Sequence, residues 1–441
     1  MILLCRVVKI RPFAYGEQIY LVKILLKSKT IIKEKFINYQ VKKSNRSQVV
    51  NLFYCLVLLP GMRSEKINDI RAIAAHKKLH GKISIVSKIK LTRKSLGIYY
   101  TPGVGAVSSY LAKHKNKTAE LTIKSNSVAI ISDGSAVLGL GNIGPEAALP
   151  VMEGKALLFK ALAGIDAFPI VLSTQNPLEI IKTVQAIAPT FGGINLEDIA
   201  APQCFEIEKI LQRTLDIPVV HDDQHGIAVT TLAALKNALK VAKKSPLKSR
   251  IVIIGAGAAG TGITKLLHAA GMQDLIVLDS AGIIDKSRKK LNSHKKELAQ
   301  ITNRKNIKGG LNEAALNADV LIGVATAGII KSHHIKNMAA KPIVFALGNP
   351  IPEIMPRDAK KTGAFIVATG RSDFENQINN ALVFPGLFRG ALNNSVRRIT
   401  FAMKLRAAAN LASLIKNPTQ KNIIPSIFDK RVVSAVSMAI K

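Results

Sequence analysis

From residue 128 onward the chain repeats one unit: a short, β-branched apolar run, a polar residue at its end, then a stretch with helical spacing. The runs are Val128–Ile131, Phe168–Leu172, Ile217–Val220, Ile251–Ile254, Leu275–Leu278, Val320–Val324, Ile343–Leu347 and Phe365–Ala368, with Ile194–Leu196 as a shorter one. A strand with one wet face alternates apolar and polar residues. A strand that is apolar throughout has to be covered on both faces, which parallel sheets joined by helical crossovers achieve. The predicted class is therefore α/β, with two domains of parallel sheet flanked by helices. Ligands of such sheets bind at the carboxyl ends of the strands. Asp133, Glu197, Asp198, Asp222, Asp223, Asp279 and Asn349 all follow the runs closely and are the first candidates for a site.

A boundary falls near 221–250. The stretch Ile227–Val241 has helical spacing and ends in Lys243-Lys244-Ser245-Pro246, a basic helix end followed by a breaker, and the next strand opens a new unit. We divide the chain into 62–225, carrying the acids, and 226–441, a dinucleotide-binding domain with a helical tail that includes a helix over 401–414. The 441 residues suffice for two full cores.

Residues 1–61 differ, with eleven basic and two acidic residues, two of the three cysteines, and no clear helical or strand period. The run Leu52 to Pro60 is too short for a bilayer and lies too far along for an ordinary signal peptide. Met62 opens an interpretable sequence, so the first reading is a basic extension that is not native; a targeting segment and an extra subdomain are the alternatives.

Composition removes several classes. No apolar run approaches the ~18 residues of a membrane helix. Cys5, Cys55 and Cys204 show no paired spacing, which argues against a disulfide framework or zinc knot and fits a reducing cytoplasm. The net charge of +35 invites a nucleic-acid partner, but the lysines are spread over the chain, tryptophan is absent and aromatics make up 5%. Stacking platforms are therefore poor, and no specific nucleic-acid partner is expected. A diffuse positive field would also draw a small dianion.

Residues 251–260 read Ile-Val-Ile-Ile-Gly-Ala-Gly-Ala-Ala-Gly, a strand running into G-x-G-x-x-G. Gly255 permits the tight turn, Gly257 lets the backbone approach a pyrophosphate, and Gly260 lets helix and strand pack closely. Ala258 and Ala259 open the helix, whose free N–H groups face the phosphate charge. The next strand ends in Asp279, at the spacing of a ribose-binding acid. That acid favours NAD by repelling a 2′-phosphate; Lys286, Arg288, Lys289 and Lys290 lie close enough to offset it, which keeps NADP open.

Glu197-Asp198 and Asp222-Asp223 each follow a strand. Adjacent residues within a strand point to opposite faces, so both members of a pair reach one ion only at a strand end. Carboxylates gathered at one sheet edge repel unless a cation joins them, and all-oxygen ligands suit Mg²⁺ or Mn²⁺. The same acids would also serve as caps of the following helices. His221 and His225 flank the second pair, but no matching Cys or His set supports zinc.

With these residues in place, the sequence resembles the malic enzyme family, in its compact bacterial branch, from about residue 70 to 410. The resemblance rests on Tyr-Thr-Pro-Gly-Val at 100–104, Ser-Asp-Gly-Ser-Ala-Val-Leu-Gly-Leu-Gly-Asn-Ile-Gly-Pro at 132–145, Pro-Val-Met-Glu-Gly-Lys at 150–155 and Phe-Gly-Gly-Ile-Asn-Leu-Glu-Asp-Ile at 191–199. It continues through His-Asp-Asp-Gln-His-Gly at 221–226, Gly-Asn-Pro at 348–350, Ala-Thr-Gly-Arg-Ser-Asp at 368–373 and Asn-Asn-Ala-Leu-Val-Phe-Pro-Gly at 379–386.

The resemblance implies oxidative decarboxylation of malate to pyruvate with NAD and Mg²⁺ or Mn²⁺, by a homodimer or larger assembly. It implies Tyr100 as the acid that protonates the enol and Lys155 as the base on the substrate hydroxyl. Glu197, Asp198 and Asp223 would be metal ligands with Asp222 in support, and Asn349, Asn379 and Asn380 would contact substrate or cofactor. Departures are peripheral: Gly105-Ala106-Val107 replaces the usual Ala-Glu-Pro, Glu146 stands where an apolar residue is expected, Ile351 replaces a threonine and Glu375 a proline. They bear on substrate affinity rather than reaction type.

Overall fold

All nine apolar runs form strands in the computed structural model, which describes residues 3–9, 18–27, 32–41 and 64–441. The run Leu52 to Pro60 and Met62 lie outside the described residues. Strands β4 (Ser127–Ser132), β5 (Asp166–Val171), β6 (Gly193–Leu196) and β7 (Val219–His221) make a fully parallel sheet in the order β5-β4-β6-β7. Strands β8 (Ile251–Ile254), β9 (Leu275–Asp279), β10 (Gly282–Ile283), β11 (Val320–Gly323), β12 (Ile343–Ala346) and β13 (Ile366–Thr369) make a second sheet, in the order β10-β9-β8-β11-β12-β13. Only β10, paired with β9, runs antiparallel in it.

The α/β class follows from burial. Every residue of β4, β8, β11, β12 and β13 is buried, so these strands have no wet face to mark with polar side chains. In the second sheet the chain leaves β8 toward β9 on one side and returns to β11 on the other. That reversal opens a crevice at the carboxyl ends, where dinucleotides bind.

The two sheets share one core. The cluster around Phe159, Phe345, Phe384 and Phe388 includes Val128 and Ile130 of β4 together with Ile251 and Ile253 of β8. Phe159 and Phe384 pack at 4.7 Å between ring centroids; burying one such ring is worth about 2–3 kcal/mol. The helix Asp222–Ala242 carries the chain from the first sheet to the second and runs unbroken through residues 225 and 226. It crosses the helix Ala258–Ala269 so closely that a Cβ at Gly262 would overlap the Gln224 carbonyl. The predicted helix over 401–414 forms as Phe401–Ser413.

Residues 1–80 cluster as a unit separate from 81–441. Within it β1 (Leu3–Lys9), β2 (Gln18–Lys27) and β3 (Ile32–Val41) form an antiparallel sheet in sequence order, and a helix spans Ser64–Leu79. The sequence shows no strand period here, because β-rich composition and hairpin pairing, rather than strict alternation, accompany these strands. Among the described residues no helix is long and apolar enough to cross a membrane.

Candidate active site

The ends of β6 and β7 and the segment that carries Asn380 and Phe384 converge on Lys155. This lysine projects from the helix Pro145–Ala163 into the core and is only 7% exposed. Its Nζ donates to Asp222 Oδ2 at 2.5 Å, pairs with Glu197, and sits 4.4 Å from the centre of the Phe384 ring. Asp222 opens the helix Asp222–Ala242 and also accepts at Oδ2 from Asn380 Nδ2 at 2.6 Å. Glu197 follows β6 and accepts at Oε2 from Asn195 Nδ2, 2.9 Å away.

Asp198 has φ +54, in the left-handed region. This turn at the strand end lets consecutive acids serve one place, as the spacing required. Its N–H donates to Asp223 Oδ2 at 3.0 Å, and Glu197, Asp198 and Asp223 each offer an oxygen within 4.8 Å of the others. Asp133, also at a strand end, accepts from the Ser135 N–H and hydroxyl at 2.9 and 2.6 Å, and that hydroxyl accepts from Ala200 N–H. Asp133 thus braces the acidic loop.

The charge in this cluster is unbalanced. Burial works against the Lys155 ammonium, but Asp222, Glu197 and Asp223 outweigh it and hold the lysine well above its ordinary value. Burial pushes Glu197 far up; Lys155 opposes this while Asp223, Asp222 and Asp198 add to it. Burial likewise raises Asp222, against the pull of Lys155. Four carboxylates therefore face one ammonium. Asp222 Oδ1 is buried without a hydrogen-bond partner among the described residues. An all-oxygen set in this state fits a hard divalent cation.

Behind the cluster, Glu208 of the helix Gln203–Thr214 accepts from the His221 N–H at 2.9 Å and from Gln224 and His225 side chains at 3.1 Å each. Lys404, from the helix Phe401–Ser413, lies 2.9 Å from His225 Nδ1. Three members of the His-Asp-Asp-Gln-His-Gly motif therefore hang from one buried carboxylate.

The dinucleotide side lies at the carboxyl end of β8. Gly255 has φ +116 and a Cβ at Gly260 would overlap its carbonyl, so both positions require glycine. Gly257 precedes the helix Ala258–Ala269, whose first turn holds Ala258 and Ala259. A cleft of about 360 Å³ is lined by Gly255, Gly257, Asp279, Ser280, Lys295 and Thr326, among others.

Asp279 differs from the bare ribose acid that the sequence suggests. Arg288 grips it with two hydrogen bonds of 2.9 and 3.1 Å, and Lys295 adds one of 2.7 Å. Burial pushes its carboxyl up, but the Arg288 and Lys295 hydrogen bonds bring it down to about 2. Of the four cations the sequence picks out, Arg288 alone pairs with Asp279 among the described residues, and Lys295 joins from further along.

The structure thus assembles Lys155, Glu197, Asp198, Asp222, Asp223 and Asn380. Asn379 caps the next turn by accepting from Ala381 N–H at 2.8 Å. Asn349 is exposed in the loop after β12, where its carbonyl faces Gly139 so closely that a Cβ there would overlap it. Tyr100 is 65% exposed, and among the described residues no hydrogen bond joins its hydroxyl to Lys155. Sequence reading missed Asn195, Glu208, Lys295 and Lys404. Asn195 alone carried a signal, as a polar residue inside a buried strand.

Family models for "Malic enzyme, N-terminal domain" and "Malic enzyme, NAD binding domain" match residues 80–179 and 224–441. A relative described as "NAD-dependent malic enzyme", from Geobacillus stearothermophilus, is 51% identical over 383 residues, covering 86% of this chain and 79% of that protein. The "Bifunctional malic/malolactic enzyme" of Bacillus subtilis (strain 168) is 49% identical over 373 residues, covering 84% and 91%. The crystal structure of an NAD-dependent malic enzyme from Thermotoga maritima superposes with a TM-score of 0.81 at 47% identity, covering 84% of this chain and 98% of that one.

Proposed function

The chain belongs to the malic enzyme family, and on that premise we propose that it oxidises L-malate with NAD and decarboxylates the product to pyruvate and carbon dioxide. The observation that carries this reading is the buried Lys155 ammonium between Asp222 and Glu197, beside a three-carboxylate ligand set. Glu197, Asp198 and Asp223 would hold Mg²⁺ or Mn²⁺, which when bound supplies Lewis-acid polarisation of the oxygens of the substrate.

Lys155 acts as the base on the 2-hydroxyl. Its proton has a place to go, because Asp222 Oδ2 lies 2.5 Å from Nζ and burial favours the protonated carboxyl. Transfer to Asp222 leaves an amine able to accept from the substrate, and Asn380 fixes Asp222 in line. Gly255, Gly257, Ala258, Ala259 and Gly260 cradle the pyrophosphate, with Asp279 at the ribose. Asn349 and Asn380, with Asn379 adjacent, complete the wall that faces nicotinamide and substrate. The role of Tyr100 as the acid toward carbon 3 rests on its place in the Tyr-Thr-Pro motif.

In this reading 62–225 supplies the acids and Lys155, and 226–441 the dinucleotide side. The reaction is placed in a reducing cytoplasm, in keeping with the sparse cysteines. Formation of NADH and pyruvate from L-malate with Mn²⁺, compared with Lys155→Ala, tests the proposal. Turnover that collapses in the variant supports it; a folded native protein without turnover on either cofactor overturns it.

NADP is a second reading, favoured by one observation: Arg288 and Lys295 together neutralise Asp279 at the ribose position. We also propose a homodimer or larger assembly. Its support is the exposed apolar segment that includes Ile85, Val86, Leu91 and Tyr100.

A further inference from the structure

Glu353 is completely buried, and no cation pairs with it among the described residues. Its Oε1 accepts from Ala325 N–H at 2.6 Å and its Oε2 from Gly348 N–H at 2.9 Å. These two amides belong to the loops that leave β11 and β12 at their carboxyl ends. The room for the carboxylate is built in: a Cβ on Gly323 would stand 2.6 Å from its Cδ, and one on Gly348 2.9 Å from Oε1. The backbone around it pins the same wall, since Gly328 N–H donates to Pro352 O and Ile330 N–H to Glu353 O, at 3.2 and 3.1 Å.

The position of Glu353 relative to the cofactor follows from topology. The pyrophosphate loop lies over β8 and the ribose acid Asp279 over β9, so the adenosine half occupies that side of the crevice. The nicotinamide half then extends to the other side, over β11 and β12. Ala325, tied to Glu353, lines the cleft there, and Gly348 precedes Asn349.

Two N–H groups donating to both oxygens suit the ionised carboxylate, which only accepts. Burial pushes the Glu353 carboxyl up, and these two hydrogen bonds pull against that rise. Oxidised nicotinamide carries a positive charge that the reduced ring lacks. A fixed negative charge shielded from water lowers the energy of the cationic form.

We propose that Glu353 is a positioning residue that biases this site toward the oxidised cofactor, acting through the Ala325 and Gly348 amides and through its own buried charge. The inference rests on the dinucleotide reading given above.

The test is isothermal titration calorimetry of the full chain with NAD⁺ and with NADH, Mg²⁺ present and malate absent, a readout that serves both forms in a chain without tryptophan. The native protein is expected to bind NAD⁺ at least as tightly as NADH. Glu353→Gln should weaken NAD⁺ by about tenfold, the effect of one nearby charge, and leave NADH within about twofold of native. Glu353→Asp, which keeps the charge, should preserve the ratio even where both affinities fall. Tenfold tighter NADH binding by the native protein overturns the inference, as does an equal loss of both forms in Glu353→Gln. The native titration and Glu353→Asp decide the matter if Glu353→Gln does not fold. Loss of binding for both forms in the native protein would overturn the dinucleotide reading itself.

Discussion

At the scale of single residues the site turns on where one proton rests. Lys155 is held charged by carboxylates that burial would rather see neutral, so Lys155 and Asp222 form a couple across 2.5 Å. Asp222→Asn keeps the shape and removes the proton acceptor. It is expected to lower kcat by about 10²–10⁴-fold, the usual contribution of a positioned acid or base, with NAD affinity by titration calorimetry unchanged. A fall in affinity matching the fall in kcat would assign Asp222 to cofactor binding instead. Asp279 offers a second residue-scale experiment. Removing Arg288 leaves one cation on that carboxylate and restores part of its repulsion toward a 2′-phosphate. Arg288→Ala should therefore cut kcat/KM for NADP by about tenfold more than for NAD, the weight of one charge-assisted fork; equal losses would show that Arg288 only holds the loop. The acids were legible because each sits at the end of an apolar run. Lys295 was not, because its meeting with Asp279 depends on how the helix Ser293–Ile301 turns back, which spacing does not encode.

At the scale of elements, strand positions were the most legible feature: β8 begins and ends where its apolar run does, and the other runs differ from their strands by only a few terminal residues. The start of the helix Asp222–Ala242 was less so, because its first turn carries the two acids and reads as loop until His221 is seen to pass straight into it. That join is stabilised by Glu208. Burial pushes the Glu208 carboxyl up, but His225 and Lys404 outweigh it and hold it at about 2, against an ordinary value of 4.5. A carboxyl depressed in the folded state adds stability that is complete above pH 4.5 and is lost as pH falls toward 2. The difference corresponds to about 3 kcal/mol at about 1.4 kcal/mol per pH unit. Glu208→Gln should flatten the acid limb of stability, read by denaturant unfolding at a series of pH values; an unchanged slope would remove Glu208 from that account. The crossing of the helices Asp222–Ala242 and Ala258–Ala269 makes a separate demand. Gly262→Ala would set a methyl against the Gln224 carbonyl, and a loss of about 1–3 kcal/mol from overpacking is expected. A neutral result would mean that the helices slide apart without cost.

At the scale of the whole molecule, one region departs from the pattern of buried apolar residues. Ile85 is 90% exposed, and Val86, Leu91, Ile98 and Tyr99 are exposed with it, next to Tyr100. Single exposed apolar residues need no explanation, but a run of this kind marks a surface that another surface covers. The sequence did not reveal it. The segment is apolar at irregular spacing, and an apolar side chain bound for a subunit contact looks the same as one bound for the core. A second copy of the chain is the occupant proposed above, and a stable pair would bury about 800 Å² on each partner. Two charges placed in that contact, in Val86→Glu with Leu91→Glu, should shift sedimentation from dimer to monomer. They should leave the far-UV circular dichroism native, because neither side chain supports the core of its own subunit. Turnover should then fall on dilution in the native protein and stay low at every concentration in the variant, since Tyr100 lies on the segment that loses its cover. A native protein that sediments as a monomer at micromolar concentration, with full turnover, would mean that this apolar face serves some purpose other than self-association.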